Sequence, residues 1–289
     1  MAGAGGNRYA VISFLKSCVK SKKVKVPSSV CSEVEKIHNT VYSSKACVAL
    51  EIQAIYTVNL LANELIVQGK PPTPAHLEAL IGTIMGWGRI QRFKGVELKA
   101  VSKLLTMNVN VKDYKTLRDL ALDSTIVDIA ATLSHSELEE IVSRALNTIG
   151  ANGGTTWGYK ALHLLMPSIF PALDNNIAMQ VFDKEQKTAT NFAKYTICLG
   201  ILAKHLIAEC SMPFSRVPGL GYAYTLSKDM PFPQTSRTDD KPASCCSFAL
   251  YLPITRCLDF TVWSMSSYTR KDGAQTIYDH VTASCIAKT

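Results

Sequence analysis

Residues 145–182 read ALNTIGANGGTTWGYKALHLLMPSIFPALDNNIAMQVF. This stretch predicts a helix that ends at Gly150, a glycine-rich turn that includes Gly153 and Gly154, and a second helix. Glycine tolerates the left-handed or closely approached backbone that such a turn needs. Thr155 or Thr156 can cap the second helix, because a threonine hydroxyl accepts a backbone N–H of the first turn. The stretch is therefore typical of a helical hairpin, and we expect the chain to pack around it.

The second helix of this hairpin carries Trp157, Lys160 and His163 and should stop before Pro167. Asp174 precedes another apolar segment, which is the position of an N-cap. A helix-borne lysine that faces an apolar pocket can lose its proton and act as an amine nucleophile, and a carboxylate can assist it. Lys160 and Asp174 are therefore the candidate catalytic pair. The alternatives are a solvated lysine and a carboxylate that only caps, and for His163 a core histidine.

Charge is the main compositional clue to a partner. The chain has 289 residues and a net charge of +8, with 47% apolar and 19% charged residues. These fractions are typical of a globular protein of one or two domains. The positive charge favours an anionic partner such as nucleic acid, although it can also serve solubility alone.

The nine cysteines are scattered, odd in number and without a CxxC pair. They predict neither a disulfide framework nor a zinc site, and they are typical of a reducing compartment. We therefore expect an intracellular protein of the cytoplasm or nucleus. No nucleotide-binding, cofactor-binding or metal-binding motif is present, so the expected cofactors and metals are none.

Helical periodicity recurs along the whole chain, and no strand alternation is long enough to predict a sheet. The longest apolar stretch, residues 46–67, contains polar and acidic residues and predicts a buried helix rather than a membrane span. The predicted fold is an all-α, multi-helix globular domain. We expect a basic N-terminal helix and arm over residues 1–26 and a single domain over 27–289, with a Pro/Gly-rich loop at 211–245. The predicted helices cover residues 8–19, 29–42, 45–68, 74–84, 95–105, 112–121, 124–133, 137–148, 185–210, 246–267 and 274–286.

Two basic segments are candidate nucleic-acid contacts. The first is a lysine cluster near the N-terminus, which can hold phosphates, direct nuclear import or form a solvated face. The second follows Trp87, which lies between two glycines and either packs on backbone or contacts a ligand. The residues concerned are Lys20, Lys22, Lys23 and Lys25 in the first segment and Arg89, Arg92 and Lys94 in the second.

The hairpin and the residues after it resemble the helix-hairpin-helix superfamily of DNA base-excision glycosylases. The pattern Lys160-Ala-Leu-His163, Pro167, Phe170-Pro171 and Asp174 is similar to uncharacterised bacterial and phage relatives of that fold. Two outlying pieces also fit the resemblance: Trp87-Gly88-Arg89 upstream and Arg256-Cys-Leu258-Asp259 with Trp263 downstream. Some twenty positions between residues 85 and 263 carry the match.

The resemblance implies an all-α fold whose turn offers backbone N–H groups to a DNA phosphate. It also implies that Lys160 attacks the sugar carbon of a flipped-out base and that Asp174 assists. Gly150, Gly153, Gly154 and Thr155 would then contact nucleic acid, and Trp87, Trp157 and His163 would border the pocket. The separation of 14 residues between Lys160 and Asp174 is shorter than in the enzymes, and the turn lacks their Gly-Val-Gly form.

These departures leave two forms of the hypothesis open: an active glycosylase or lyase, and a relative that binds nucleic acid without cleaving it. Two other classes of protein also remain open. One is a structural all-α nucleoprotein that coats RNA, as a viral nucleocapsid does, and the other is a protein-interaction module without a nucleic-acid role. The expected partner is DNA or RNA rather than a membrane, and homo-oligomers are compatible with each class.

Overall fold

The structure is a computed structural model that describes residues 9–21, 24–43, 48–88, 90, 93, 95–151, 155–183, 187–209, 214–217, 221–225, 251–265, 267–270 and 273–276. The described part is predominantly helical, as the periodicity predicts. Its helices before the hairpin are α1 Ala10–Cys18, α2 Val30–Ser43, α3 Val48–Leu61, α4 Pro74–Gly86, α5 Leu98–Leu105, α6 Leu117–Asp123 and α7 Ile126–Thr132. The remaining helices are α8 His135–Thr148, α9 Thr156–Leu165, α10 Asn175–Phe182, α11 Ala189–Glu209 and α12 Ile254–Ser264. A π-helical segment, Ala62–Val67, continues α3.

Strands are the main departure from the predicted all-α fold. Three small antiparallel sheets are present: β1 Asn108–Val111 with β2 Tyr114–Thr116, β3 Phe214–Val217 with β4 Gly221–Thr225 and β5 Tyr251–Pro253, and β6 Ser267–Arg270 with β7 Gly273–Thr276. The prediction of a helix at 112–121 is therefore wrong in its first half. Asn110 and Asp113 have positive φ there, which suits a tight hairpin turn.

Three other predictions about the C-terminal third need correction. The predicted loop at 211–245 contains β3 and β4, and β4 pairs with β5 through Ala223 and Pro253. The predicted helix at 246–267 begins at Ile254, after a strand that ends at Pro253. The final predicted helix at 274–286 begins in β7, and residues 277–289 lie outside the described part of the chain.

Hydroxyl caps decide where several helices begin. In α4, α6, α7 and α8, the side chain of the capping residue accepts the backbone N–H three residues ahead, and the side chain at that later position accepts the backbone N–H of the capping residue. The capping residues are Thr73, Thr116, Thr125 and Ser134. These reciprocal pairs satisfy amide groups that the first helical turn leaves without partners. In α8 the pair is Ser134 with Glu137, and the helix begins at His135, two residues before its predicted start at residue 137.

The helix before the hairpin ends as predicted, in a left-handed glycine. Gly150 has φ +72°, and the amides of Gly150 and Ala151 donate to the carbonyls of Asn147 and Leu146. This 5→2 and 6→1 pairing is the Schellman arrangement, which needs a residue without a Cβ at the left-handed position. Residues 152–154, which include the predicted turn glycines Gly153 and Gly154, lie outside the described residues.

Helix α11 forms the centre of the core. It packs against α7 and α8 on one side and against α12 and α1 on others, and Phe192, Tyr195 and Leu199 are fully buried on it. Helix α1 buries Val11, Phe14 and Leu15 and contacts α2, α10 and α11, so residues 10–18 are packed into the same core. Among the described residues, no helix combines the length and apolar character needed to cross a membrane.

Cysteine chemistry differs slightly from the expectation of free thiols. Cys18, Cys198 and Cys257 are free and buried, which fits small apolar side chains of the core. Cys31, in contrast, is disulfide-bonded. The bonded state of Cys31 differs from the free thiols that a reducing compartment predicts.

Candidate functional site

All three tryptophans of the chain line one cavity of about 510 Å³. Trp87 follows the end of α4, Trp157 lies in the first turn of α9, and Trp263 lies near the end of α12. The start of α10 closes the cavity with Asp174, Asn175 and Ile177. Its volume falls in the range of about 300–1,000 Å³ that is usual for small-molecule sites. The cavity is therefore large enough for a flat organic group between aromatic walls.

Buried charge is concentrated around this cavity. Among the described residues, the acidic and basic residues that are buried are Lys160 (8% exposed), His163 (0%), Arg256 (4%) and Asp259 (1%). Lys160, Arg256 and Asp259 line the cavity, and His163 stacks on Trp87 behind its wall. Removing a charged group from water costs free energy, so a cluster of this kind is more typical of a functional site than of a structural core.

Lys160 lies on the buried face of α9 and reaches the segment that follows α4. Its Nζ donates a hydrogen bond of 3.0 Å to the carbonyl oxygen of Gly88 and lies 5.1 Å from the centre of the Trp87 ring. The alternative of a solvated lysine is therefore wrong for this side chain. The amine is nearly withdrawn from solvent and borders the same cavity as Asp174.

Asp174 is the N-cap of α10, as the sequence predicts. Its Oδ1 accepts the amide of Ile177 at 2.9 Å, and the side chain is half-buried at the cavity wall. The cap uses one oxygen of the carboxylate, and a carboxylate has further lone pairs for a ligand. Capping and ligand contact are therefore compatible in this residue.

Helix α12 contributes a wall of the cavity with a buried ion pair. Arg256 Nη1 donates to Asp259 Oδ2 at 2.9 Å, and the Tyr195 hydroxyl donates to Asp259 Oδ1 at 3.4 Å. The guanidinium also stacks on the rings of Trp87, at 4.6 Å, and Phe260, at 5.5 Å. Both carboxylate oxygens are thus engaged, and Arg256 links α12 to the segment after α4.

Burial controls the ionisation of this cluster. The pKa of Asp259 is raised from 3.8 to about 7, and burial is the largest cause. Among the neighbouring charges, Arg256 and Lys160 lower this pKa and Asp174 raises it. Burial also raises the pKa of Tyr195 well above its usual value, so the phenol keeps its proton and donates. A carboxyl group that can hold or release a proton near neutral pH therefore lies in the cavity wall.

His163 is a neutral core histidine. Its Nδ1 lies 2.7 Å from the Phe170 carbonyl oxygen, so Nδ1 carries the proton and donates it there. Burial, with the Arg256 charge, lowers the pKa of His163 to about 3. The ring stacks on Trp87 at 5.8 Å between centroids and does not line the cavity. Among the predicted pocket residues, Trp87 and Trp157 form the wall and His163 supports it.

The predicted nucleic-acid contacts are spread over the molecule. Thr155 is the N-cap residue of α9 and lines the cavity, whereas Gly150 is exposed and does not line it. Lys20 and Lys25 are exposed and also lie outside the cavity, with Lys25 beside a second cleft that includes His205 and Glu209. The remaining candidates, Lys22, Lys23, Arg89, Arg92 and Lys94, lie outside the described residues.

Some cavity residues carry no sequence signal of their own. Lys187, before α11, donates to Thr156 Oγ1 at 2.6 Å and to Asn175 Oδ1, both of which line the cavity. The downstream motif of the glycosylase resemblance lies on one face of α12, because its residues Arg256, Asp259 and Trp263 are at helical spacing. Their meeting with Trp87 depends on tertiary packing that no local pattern contains. In the described part of the chain, no three His, Cys, Asp or Glu side chains are close enough together to hold a metal ion.

Comparison of the chain with protein-family models, with curated proteins and with solved structures finds no match.

The shifted pKa values of Asp259 and His163 predict opposite effects of pH on the stability of the fold. Between about pH 4 and 7 the folded protein holds a proton on Asp259 that the unfolded chain has released, so this residue stabilises the fold less as pH rises. Between about pH 3 and 6.5 the unfolded chain protonates His163 and the folded protein does not, so this residue destabilises the fold as pH falls. Replacing Asp259 with asparagine should leave the His163 trend, so stability should rise from pH 4 to 6.5 more steeply than in the wild type.

Urea unfolding of the wild type and of Asp259→Asn at pH 4.5 and 6.5 measures this difference. The change in the free energy of unfolding between the two pH values should differ by about 1–3 kcal/mol between the two proteins. An unchanged pH response in the variant would show that Asp259 ionises as an ordinary solvated carboxyl. The asparagine of this variant keeps a side-chain oxygen that can accept the hydrogen bond of the Tyr195 hydroxyl, so the change in packing at that contact is small.

Proposed function

We propose that the protein binds nucleic acid and takes an unpaired nucleobase into the cavity between its three tryptophans. The single observation that carries the proposal is that the aromatic walls, the buried Lys160 amine and the Asp174 carboxylate border one cavity. Nucleobases stack on aromatic side chains with about 1–3 kcal/mol per base, and enzymes that act on a base extrude it into such a pocket.

The positive charge supports the same partner. A net charge of +8 attracts polyanions, and phosphate contacts give nucleic-acid binding that weakens steeply with salt. Lys187 lies beside the cavity, because its ammonium group donates to Thr156 and Asn175, which line it. A strand whose base enters the cavity would pass close to this cation.

The chemistry proposed for the site is the one that the glycosylase resemblance implies. The lone pair of the Lys160 amine forms a bond to the sugar carbon C1′, and the glycosidic bond breaks so that the base leaves with its electron pair and takes up a proton. Asp174 stabilises the positive charge that develops on the sugar. The departing base takes its proton from the amine, and the nitrogen lone pair then forms the C=N bond while the C1′–O4′ bond breaks and O4′ takes the second amine proton. The product is an imine between Lys160 and the opened sugar, which borohydride reduces to a stable secondary amine.

Binding is the first test. We expect a duplex with one unpaired base to bind more tightly than a fully paired duplex and to change the intrinsic tryptophan fluorescence, because all three tryptophans line the cavity. The affinity for both duplexes should fall by about tenfold or more between 50 and 200 mM salt. Preference for single-stranded RNA with growth into larger assemblies would instead support a coating nucleoprotein. Absence of salt-dependent binding to either would reject a nucleic-acid role.

Covalent trapping is the second test, and it separates catalysis from binding. With DNA that contains an abasic aldehyde and borohydride, Lys160→Gln should lose the trapped complex and keep DNA binding, whereas Lys204→Gln, an exposed control on α11, should change neither.

Asp174→Asn keeps the cap of α10, because asparagine caps as well as aspartate, and with DNA that still carries its unpaired base it should lower the trapping rate by about 100-fold or more. Equal trapping by wild type and Lys160→Gln would reject Lys160 as the nucleophile. Absence of trapping by a wild type that binds the unpaired base would leave a binding protein that lacks the chemistry.

A further inference from the structure

The amine of Lys160 is held by two consecutive residues of a different segment. Gly88 accepts its hydrogen bond through the main-chain carbonyl at 3.0 Å, and Trp87 lies 5.1 Å away with its ring against the amine. These residues follow the last turn of α4, whose Thr83 carbonyl accepts the amides of both. The segment is therefore anchored to α4 and faces α9.

Position 88 admits only glycine in this conformation. A Cβ built there would lie 2.1 Å from the carbonyl oxygen of Ile84 and 3.2 Å from Cδ of Lys160. The first contact is with main chain and cannot be relieved by a rotamer change. The missing side chain is what allows the Gly88 carbonyl to approach the lysine.

The ring of Trp87 is itself fixed from several sides. Arg256 stacks on it at 4.6 Å, and His163 stacks on it at 5.8 Å. Arg256 is in turn held by its ion pair with Asp259. The Trp87 ring thus has a defined place in the cavity wall before any ligand enters.

We propose that Trp87 and Gly88 are positioning residues for Lys160: the carbonyl of Gly88 and the ring of Trp87 hold its amine at the cavity. The inference rests on the proposed function, because it takes Lys160 to be the reactive group. The two contacts belong to the protein alone, however, and can be measured without DNA. A carbonyl acceptor and a ring face both favour a fixed ammonium group in the ligand-free protein, since each interacts with positive charge. This group has to release a proton before its nitrogen can bond to C1′.

The test observes the lysine ammonium groups by ¹H–¹⁵N NMR of the full-length protein. Surface ammonium groups exchange their protons with water rapidly, whereas a buried, hydrogen-bonded one exchanges slowly and gives a cross-peak. Lys160→Gln identifies the signal of Lys160. We expect this signal to be present in the ligand-free wild type and to be displaced by the ring current of Trp87, whereas the exposed Lys204 should give no slowly exchanging signal.

Matched variants separate the two contacts. Trp87→Leu should abolish the ring-current displacement, and Trp87→Phe should keep part of it because an aromatic face remains. Gly88→Ala should make proton exchange about tenfold faster or remove the signal, as expected for the loss of one charged hydrogen bond. Gly86→Ala is the control in the same segment, because a Cβ there meets no atom within 4 Å, and it should change neither property. Protection of the buried thiols of Cys198 and Cys257 against a thiol reagent verifies that each variant is folded.

The outcome distinguishes this inference from the proposed function. A Lys160 signal that is missing in the folded wild type, or that is unchanged in Trp87→Leu and Gly88→Ala, overturns the positioning role. A signal that responds as expected supports it whether or not the protein binds DNA. If trapping also occurs, Trp87→Leu should lower the trapping rate more than the DNA affinity, and Trp87→Phe should restore most of it.

Discussion

Replacing Arg256 with methionine is expected to lower the free energy of unfolding by about 3–5 kcal/mol at pH 8. The guanidinium is the ion-pair partner of Asp259, and the two side chains are 5% and 1% exposed. Without it, the carboxylate must remain charged in a buried place or take up a proton at a pH where the unfolded chain does not. Methionine fills much of the same space and keeps an apolar stem, so the loss is chiefly electrostatic. Urea unfolding followed by circular dichroism measures the change.

The double variant Arg256→Met with Asp259→Asn is the matched control. It removes the charge that the single variant leaves behind, so it should recover about 1–3 kcal/mol of the lost stability. A double variant no more stable than Arg256→Met alone would show that Arg256 acts by packing on Trp87 and Phe260 and not through the carboxylate. The single variant should also show a stronger pH dependence, because the carboxyl then loses the cation that lowers its pKa.

Gly200→Ala is expected to destabilise the protein by about 1–3 kcal/mol, although alanine is the better helix former. Gly200 lies in the middle of α11, where that helix crosses α7. An added Cβ would lie 2.3 Å from the Ile126 carbonyl oxygen and 2.5 Å from the Ala130 Cβ. Neither atom belongs to a flexible side-chain end, so one of the two helices would have to shift. Since α11 is central to the core, we expect a lower midpoint in thermal and chemical unfolding.

Gly82→Ala gives the opposite expectation from the same chemical change. Gly82 is exposed in α4, and a Cβ there would meet no atom within 4 Å. Alanine should therefore stabilise the protein by about 0.5–1 kcal/mol through the lower entropy of the unfolded chain. If both variants changed stability in the same direction, close contact between α7 and α11 would not be the reason for glycine at position 200.

Local patterns predicted those helices that carry their own start or stop signals. The predicted start at residue 74 agrees with that of α4, and the predicted end at Gly150 agrees with the glycine that follows α8, because this capping chemistry needs no tertiary information. The strands were missed because each is three to five residues long, too short for an alternating pattern. In β1–β2 the turn is formed by Lys112 and Asp113, inside a stretch that otherwise suits a helix.

The candidate site was predicted in its residues and not in its arrangement. Lys160, Asp174 and Trp157 belong to one stretch, so the hairpin alone could suggest that they lie close together. The contact between Lys160 and the Gly88 carbonyl joins residues 72 positions apart, and no periodicity indicates it. The sequence also cannot indicate that α12 places Arg256 against Trp87, because this depends on how the helices pack in the core.

The contribution of α12 to the cavity has a consequence for the order in which the protein matures on the ribosome. Most of the core helices precede residue 210 in the chain, and they can pack as they emerge, since domains begin to fold during synthesis. The wall formed by Arg256, Asp259 and Trp263 emerges last. Until it docks, the ring of Trp87 and the amine of Lys160 lack that cover. A nascent chain would thus acquire its helical scaffold well before it acquires a complete binding cavity.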